Sequence, residues 1–350
     1  MELTKTKLNS KMVALARESR GLTQTALADK LGISTSKLNY VEQGNQTLQD
    51  EIVLKMSKLL KYPVDFFYQE GEAFLPMSLS YRKRDHVSAK LLNPLEANIN
   101  LYRLHIETIA EKLKLNEVNI PALDLQKLGS IEQVAKQLRK FWTMPKGTVE
   151  NFTELLEQNG IIVVSFDFGT ERVDSRTIFT KDKQPIIFVN KLHLADRQRF
   201  SLAYELGHLV MHTGVLPSHK RDISHEANMF AAGFLMPESE IKKDFSVKDG
   251  ITIPLLGELK RKWKVSMIAL LYRATDLGFL TDNQKRYLVQ QFNQMKIRRR
   301  EPPELDFPKE QPKLLRDLIT KYKTAHKFSV KELAQSLHLE QEEFMQRYNE

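Results

Sequence analysis

Phe200-Ser-Leu-Ala-Tyr-Glu-Leu-Gly-His-Leu-Val-Met-His212 is the stretch that decides how this chain is read. The pattern for zinc-dependent hydrolysis on a helix is H-E-x-x-H: two imidazoles one turn apart hold the metal, and the carboxylate between them activates water. Glu205 and His208 stand where that pattern needs them, but Tyr204 takes the place of the first histidine. Residues four apart share a helix face, so Tyr204, His208 and His212 form one stripe. The third ligand of such sites often comes from a later helix. Glu226, in His225-Glu-Ala-Asn-Met-Phe-Ala-Ala-Gly-Phe-Leu-Met-Pro237, is the candidate.

The metal candidates are therefore His208, Glu226 and, as a poor donor, Tyr204, with Glu205 as general base if the site is active. A phenol loses its proton only near pH 10, roughly, and its longer side chain would displace a metal from Glu205. His208 and His212 keep the helical spacing, yet Leu209 sits where their base would have to be. His219 and His225 are spare imidazoles, read as surface residues. Three outcomes stay open: a catalytic zinc site, a weak or non-productive one, or a scaffold without metal. If no metal binds, Glu205 is expected as a solvated cleft residue or an acceptor for a neighbouring tyrosine.

Working outward, Gly160-Ile-Ile-Val-Val-Ser-Phe-Asp167 is β-branched and strand-like. Arg176-Thr-Ile-Phe-Thr180 and Pro185-Ile-Ile-Phe-Val189 flank Lys181-Asp-Lys-Gln184 as a hairpin. Strands are expected only here. Helices are expected over 196–212, from near 225 to before Pro237, and helical structure again over 260–277. Upstream, a long helix is expected over 88–115, its regular part starting at Pro94, because proline lacks the N–H an interior turn needs. Residues 116–128 look irregular, and Ser130-Ile-Glu-Gln133 has capping-box form at the head of a helix reaching Trp142. After Asp282 the chain is strongly polar, and Lys296-Ile-Arg-Arg-Arg-Glu-Pro-Pro303 reads as a basic linker whose arginines touch DNA, an acidic partner or nothing. Helical patterning resumes at 312–323, at the capping box Ser329-Val-Lys-Glu332 and at 340–348. The expected fold is mostly α with a small central β-sheet, an α+β class. The expected division is 1–70, a basic connector and long helix at 71–120, 121–280, and a linker with a helical interaction region at 281–350.

The first seventy residues read as short helices with a tight turn between the second and third. Thr23 caps Gln24 to Leu31, Gly32 ends it, and Ser34 caps Thr35 to Gln43. Ala28 and Gly32 suit the close crossing of two helices that places the second in a major groove. Leu27, Leu31, Ile33, Leu38 and Val41 would be core, leaving Thr35, Ser36, Lys37, Asn39, Tyr40 and Gln43 outside. Gln24 could reach a phosphate or a base, and Lys37, Asn45 and Arg17 are phosphate candidates. A net charge of +9 and a pI of about 9.3 favour an anionic partner.

The chain has no cysteine, which excludes disulfides and thiolate metal sites. It offers no apolar run long enough for a transmembrane helix and no signal-peptide core at its start, so a cytoplasmic protein with no membrane partner is expected. One internal echo stands out. Leu22-Thr-Gln-Thr-Ala-Leu-Ala-Asp-Lys-Leu-Gly-Ile33 and Phe328-Ser-Val-Lys-Glu-Leu-Ala-Gln-Ser-Leu-His-Leu339 share a cap and the Leu-Ala-x-x-Leu spacing. In the second copy Glu340, Gln341, Glu342 and Glu343 would repel phosphates, so a protein contact or an ordinary solvated face is expected there.

Ala16-Arg-Glu-Ser-Arg-Gly-Leu-Thr-Gln24, Leu27-Ala28, Leu31-Gly-Ile-Ser34, Leu38 and Glu42-Gln-Gly44 resemble the lambda-repressor-like (Xre) helix-turn-helix family. That resemblance implies a five-helix DNA-binding domain. Gln24, Thr35, Ser36, Asn39 and Tyr40 fall at its base-contacting positions, the partner is a double-stranded operator, and the protein is a homodimer. Arg197 to His212, Glu226-Ala-Asn-x-Phe-Ala-Ala and Leu235-Met-Pro237 resemble the ImmA/IrrE-like metallopeptidase family, which often carries an Xre domain at its N-terminus. This implies a zincin-like domain in which His208 and Glu226 match zinc-ligand positions and Glu205 the base. Paired architectures of this kind resemble regulators in mobile-element, stress or toxin–antitoxin settings. The expectation is a DNA-binding transcriptional regulator, repressor-like or antitoxin-like. Its degenerate peptidase domain would sense a signal or hold a protein partner. The rival is a zinc endopeptidase that cleaves a regulatory protein.

Overall fold

The computed structural model describes residues 7–73, 82–83, 87–213, 221–248 and 250–348. His219 therefore lies outside the described residues.

The chain opens with α1 (Ser10–Ser19), α2 (Gln24–Leu31), α3 (Thr35–Glu42) and α4 (Asp50–Leu60), followed by a 3-10 helix at Val64–Tyr68 that supplies the fifth short helix. Their starts follow from local chemistry. Asn9, Thr23 and Ser34 each accept a hydrogen bond from a backbone N–H of the first turn they precede. Gly32 ends α2 in the left-handed region at φ 75°, where a side chain is strained. Tyr62, Phe66 and Phe67 close the small core beneath these helices.

Strand β1 (Arg82–Lys83) comes next, then α5 (Ala89–Ala110), a four-residue α6 (Leu125–Leu128), α7 (Ile131–Phe141) and α8 (Phe152–Gln158). Strands β2 (Ile162–Phe166), β3 (Val173–Phe179) and β4 (Pro185–Asn190) lead into α9 (Ala195–Met211) and α10 (Ile223–Leu235). The rest is helical: α11 (Glu238–Phe245), α12 (Ile253–Trp263), α13 (Met267–Asp276), α14 (Asp282–Gln294), α15 (Leu314–His326), α16 (Val330–Ser336) and α17 (Gln341–Tyr348).

The sheet order is β1-β3-β4-β2. β3 and β4 form the expected antiparallel hairpin, β2 runs parallel to β4, and β1 pairs antiparallel on the outer edge of β3. Alternation along the strands sends Ile162, Val164, Phe166, Ile186 and Phe188 into one core and Val163, Ile187 and Val189 into another. α5 crosses the first face: Tyr102 meets the rings of Phe166 and Phe188 edge-on at 5.9 and 5.8 Å. α9 and α10 share the second core. They approach so closely that a Cβ on Gly207 would lie 2.9 Å from the Phe230 ring.

Several expectations are corrected. Strands are not confined to the middle, since β1 arises in the basic connector. α5 starts at Ala89, five residues before Pro94, which the helix accommodates. The stretch 260–277 is helical as expected, but the helix that enters it starts earlier, at Ile253, and Lys264 turns left-handed at φ 54° before α13. α14 forms in the polar region, where Leu288 and Phe292 face the core. The basic linker is not a loose tether. Ile297 and Leu305 join the second core, and buried Glu301 pairs with buried Lys260 at 2.7 Å. Ser130 caps α7 by accepting from the Gln133 N–H, and Glu132 of that turn pairs with Arg273.

The C-terminal unit packs back on the start of the chain. Glu157 of α8 accepts from the backbone N–H groups of Lys313 and Leu314, capping a helix that has no cap of its own. Glu343 on α17 is no solvated face: it binds Arg20 at 2.5 Å and Arg347 at 2.7 Å. The internal echo is also three-dimensional. Ser329 caps α16 with a full capping box, and His338, at the position of Gly32, takes the same left-handed turn at φ 52°.

Candidate functional site

α3 is held by a buried ion pair. The Glu42 carboxylate receives Arg17 Nε at 2.6 Å and Arg17 NH2 at 2.9 Å, and Arg17 NH1 donates to the Leu22 carbonyl at 2.8 Å. This ties α1, the turn before α2 and α3 into one rigid piece. Arg17 is thus a structural residue, not the phosphate contact expected from its charge. Gln24 is drawn in as well, donating to the same Glu42 carboxylate at 2.7 Å. Leu38 and Val41 are buried, as the helical spacing requires. Ser36, Asn39 and Tyr40 are exposed, Thr35 and Lys37 half-buried, and Asn45 exposed beyond the helix end. An exposed, polar α3 on a locked mount is the arrangement a groove-reading helix needs.

The second candidate lies on α9. Tyr204 is buried, donates to Ser224 Oγ at 3.1 Å and stands edge-on to the His208 ring at 4.7 Å. Burial raises its phenol pKa, so it stays neutral. Glu205 points the other way. Its two carboxylate oxygens accept from Ser175 Oγ and Thr177 Oγ1 of β3, both at 2.6 Å, and it has no exposed surface. Desolvation raises its pKa, against the pull of those two hydroxyls. It is therefore neither a solvated cleft residue nor a partner of a tyrosine.

His208, His212 and Glu226 form a string. The Nδ1 atoms of the two histidines are 2.8 Å apart, and His212 Nε2 lies 2.9 Å from Glu226 Oε2. Arg221 closes the string with two bonds to the Glu226 carboxylate, at 2.9 and 2.6 Å. The Arg221 bonds hold the Glu226 pKa below its usual range. Desolvation, with His212 and Arg82 nearby, lowers His208 to about 4. His225 is exposed.

These donors do not fit a catalytic zinc. The first ligand position carries a neutral phenol, the carboxylate ligand is claimed by a guanidinium, and the base is sealed under β3. Among the described residues no set of three or more acidic or imidazole groups converges as a metal site would.

A cleft of about 780 Å³ opens on the Tyr204 side of α9. Its wall includes Arg82, Asp174, Tyr204, Asn228, Tyr272 and Arg298, but not Glu205, His208 or Glu226. Arg82, Ser175, Thr177 and Arg221 escaped the sequence reading. The alternating polar residues in Val173-Asp-Ser-Arg-Thr-Ile-Phe179 were the available signal for the two hydroxyls.

Residues 13–67 match the family described as Helix-turn-helix, and residues 156–275 match the peptidase family described as IrrE N-terminal-like domain. No curated protein matches the chain. Among the described residues no helix is long and apolar enough to cross a membrane.

Proposed function

We propose, for a chain that joins a helix-turn-helix unit to an IrrE-like peptidase scaffold, a sequence-specific DNA-binding regulator whose scaffold no longer hydrolyses peptides. The observation that carries the reading is the fate of the catalytic pair. Tyr204 fills a ligand position, and Glu205, fully buried and absent from the cleft wall, is bound by two hydroxyls of β3. A general base must reach water, and this one has no route to it in the fold described.

In this reading α3 enters the major groove. Ser36, Asn39 and Tyr40 reach base edges, and Thr35, Lys37, Asn45 and Gln24 contribute contacts at the margin. Gln24 can serve only if the ligand competes with Glu42 for its amide. Two copies binding as a dimer on paired half-sites would give a repressor geometry. The cleft domain then acts as a sensor or partner module, with an antitoxin-like role as its narrower form.

The test is operator selection on random DNA, followed by affinity measurements from low to moderate salt. A preferred sequence, a steep fall with salt, and a changed preference in Asn39→Ala support the reading. Equal binding of all sequences, unchanged by Asn39→Ala, removes it.

A further inference from the structure

The residue that replaces the missing ligand has a partner of its own. Arg82 of β1 pairs by register with Ser175 on the edge of β3, and its guanidinium enters the cleft beside α9. It lies 4.7 Å from the Tyr204 ring centroid and 5.1 Å from that of Phe200. It donates to Ser201 Oγ at 3.0 Å and reaches Asn228 Oδ1 at 3.5 Å. Two aromatic faces, a hydroxyl and an amide oxygen form a cradle for one arginine.

The Arg82 charge also acts on His208, so the cradle sets a cation beside the helix face where the ligand stripe would lie. Tyrosine at 204 removes the ligand and supplies the ring in one change.

The grip on Arg82 also differs from that on three of the buried arginines, although a fourth, Arg139, is likewise held without a carboxylate, by the carbonyls of Phe234, Pro145 and Gly147. Arg103, Arg199 and Arg273 are each in contact with a carboxylate, of Glu107, Glu310 and Glu132. Among the described residues Arg82 makes no such ion pair; the carboxylates of Asp174 and Glu205 act on it only through space. Its strand is two residues long, with an irregular register between them. A short strand held by neutral groups is an exchangeable occupant.

We propose that this cleft is a groove for an extended, arginine-bearing protein segment, that Arg82 occupies it in the free chain, and that a partner presenting such a segment displaces residues 82–83 from the edge of β3. Addition of an extended segment to a sheet edge, with a pocket for one side chain, is a recurrent mode of peptide recognition. The proposal rests on the non-hydrolytic reading above and names the partner's chemistry. Displacement acts on the connector between the DNA reader and the scaffold, which is how the cleft would signal to α3.

The probe is the synthetic peptide Ser-Leu-Ser-Tyr-Arg-Lys-Arg-Asp, the sequence of residues 78–85, titrated into the full chain. Arg82→Ala should bind it about tenfold more tightly than the unaltered chain, as when one molecule in ten has the groove free. A peptide with alanine in place of its first arginine should lose that gain. Adding Tyr204→Ala should weaken binding about 2- to 30-fold, the range of a cation–π contact, while Tyr204→Phe retains it. Equal binding to the unaltered chain and Arg82→Ala, or equal binding of both peptides, overturns the groove. Operator binding is read in parallel. A failed peptide titration with operator binding intact removes the groove alone, and loss of operator preference removes the regulator reading alone.

Discussion

Glu205 shows how neighbours rather than identity set the chemistry of a side chain. Its carboxylate is buried, and the Ser175 and Thr177 hydroxyls satisfy one oxygen each. Removing one hydroxyl leaves a buried oxygen without its donor. Thr177→Val should therefore lower stability by about 1–3 kcal/mol, read as a shift in the urea midpoint at unchanged slope. An unchanged midpoint would mean that the carboxylate reaches water after all. Arg17 and Glu42 follow the same logic with charge. Arg17→Ala strands a buried carboxylate and should cost about 3–5 kcal/mol, with operator affinity falling because α3 loses its mount. If Arg17→Ala melts like the unaltered chain and only the salt slope of DNA binding falls, Arg17 is a phosphate contact after all. At this scale the sequence was legible where chemistry is local. Tyr204 in place of histidine, and the buried Leu38 and Val41, follow from spacing alone. The Ser175–Glu205 and Arg82–Ser201 contacts join residues 30 and 119 positions apart, and no local pattern encodes them.

α16 and α17 repeat the cap, turn and helix of α2 and α3, yet they do a different job. Their surface is docked: Tyr348 lies 2.6 Å from His105 Nδ1, and His338 lies 3.1 Å from Asp65. Burial, with Arg347 and His338 close by, holds His105 well below its ordinary pKa. A base depressed in the folded state is stabilising in its neutral form. That contribution is full above about pH 6.5 and is lost as the pH falls below it, because the undocked state then takes up the proton. Hydrogen-exchange protection over 329–348, corrected for the intrinsic exchange rate at each pH, should therefore fall between pH 7 and 5, and His105→Gln should flatten the change. Protection that is equally high at both pH values would contradict the docking. The echo itself was readable, since caps and Leu-Ala-x-x-Leu spacing are local signals. Its docking was not, because acidic residues on a helix suit a protein contact or a solvated face equally, and the partner of Glu343, Arg20, lies at the other end of the sequence. β1 was missed for a related reason: two residues in a basic run carry no strand periodicity, and only the edge of β3 selects them.

The whole molecule is built around one thin sheet with a different duty on each face. On one side α5 and the C-terminal unit share a core with the helix-turn-helix, and on the other α9 and α10 share the second core and carry Glu205, His208 and Glu226. The α+β class and the position of the central helix were legible from strand composition and the near-motif. The continuity of the first core across residues 12 to 344 was not, because it depends on long-range packing. This continuity predicts that the reader and the C-terminal unit unfold together. Glu343→Ala should lower the unfolding midpoint seen by a probe on α3 and by one on α17 by the same amount; two separate transitions would speak against it. The central claim is that the altered helix keeps a fold and has lost a hydrolytic site. The most direct measurement is zinc content after dialysis, taken with peptide-bond cleavage, for the unaltered chain and for Tyr204→His. The account predicts less than stoichiometric zinc and no cleavage by the unaltered chain. One tightly held zinc per chain, with cleavage abolished by Glu205→Gln, would contradict it.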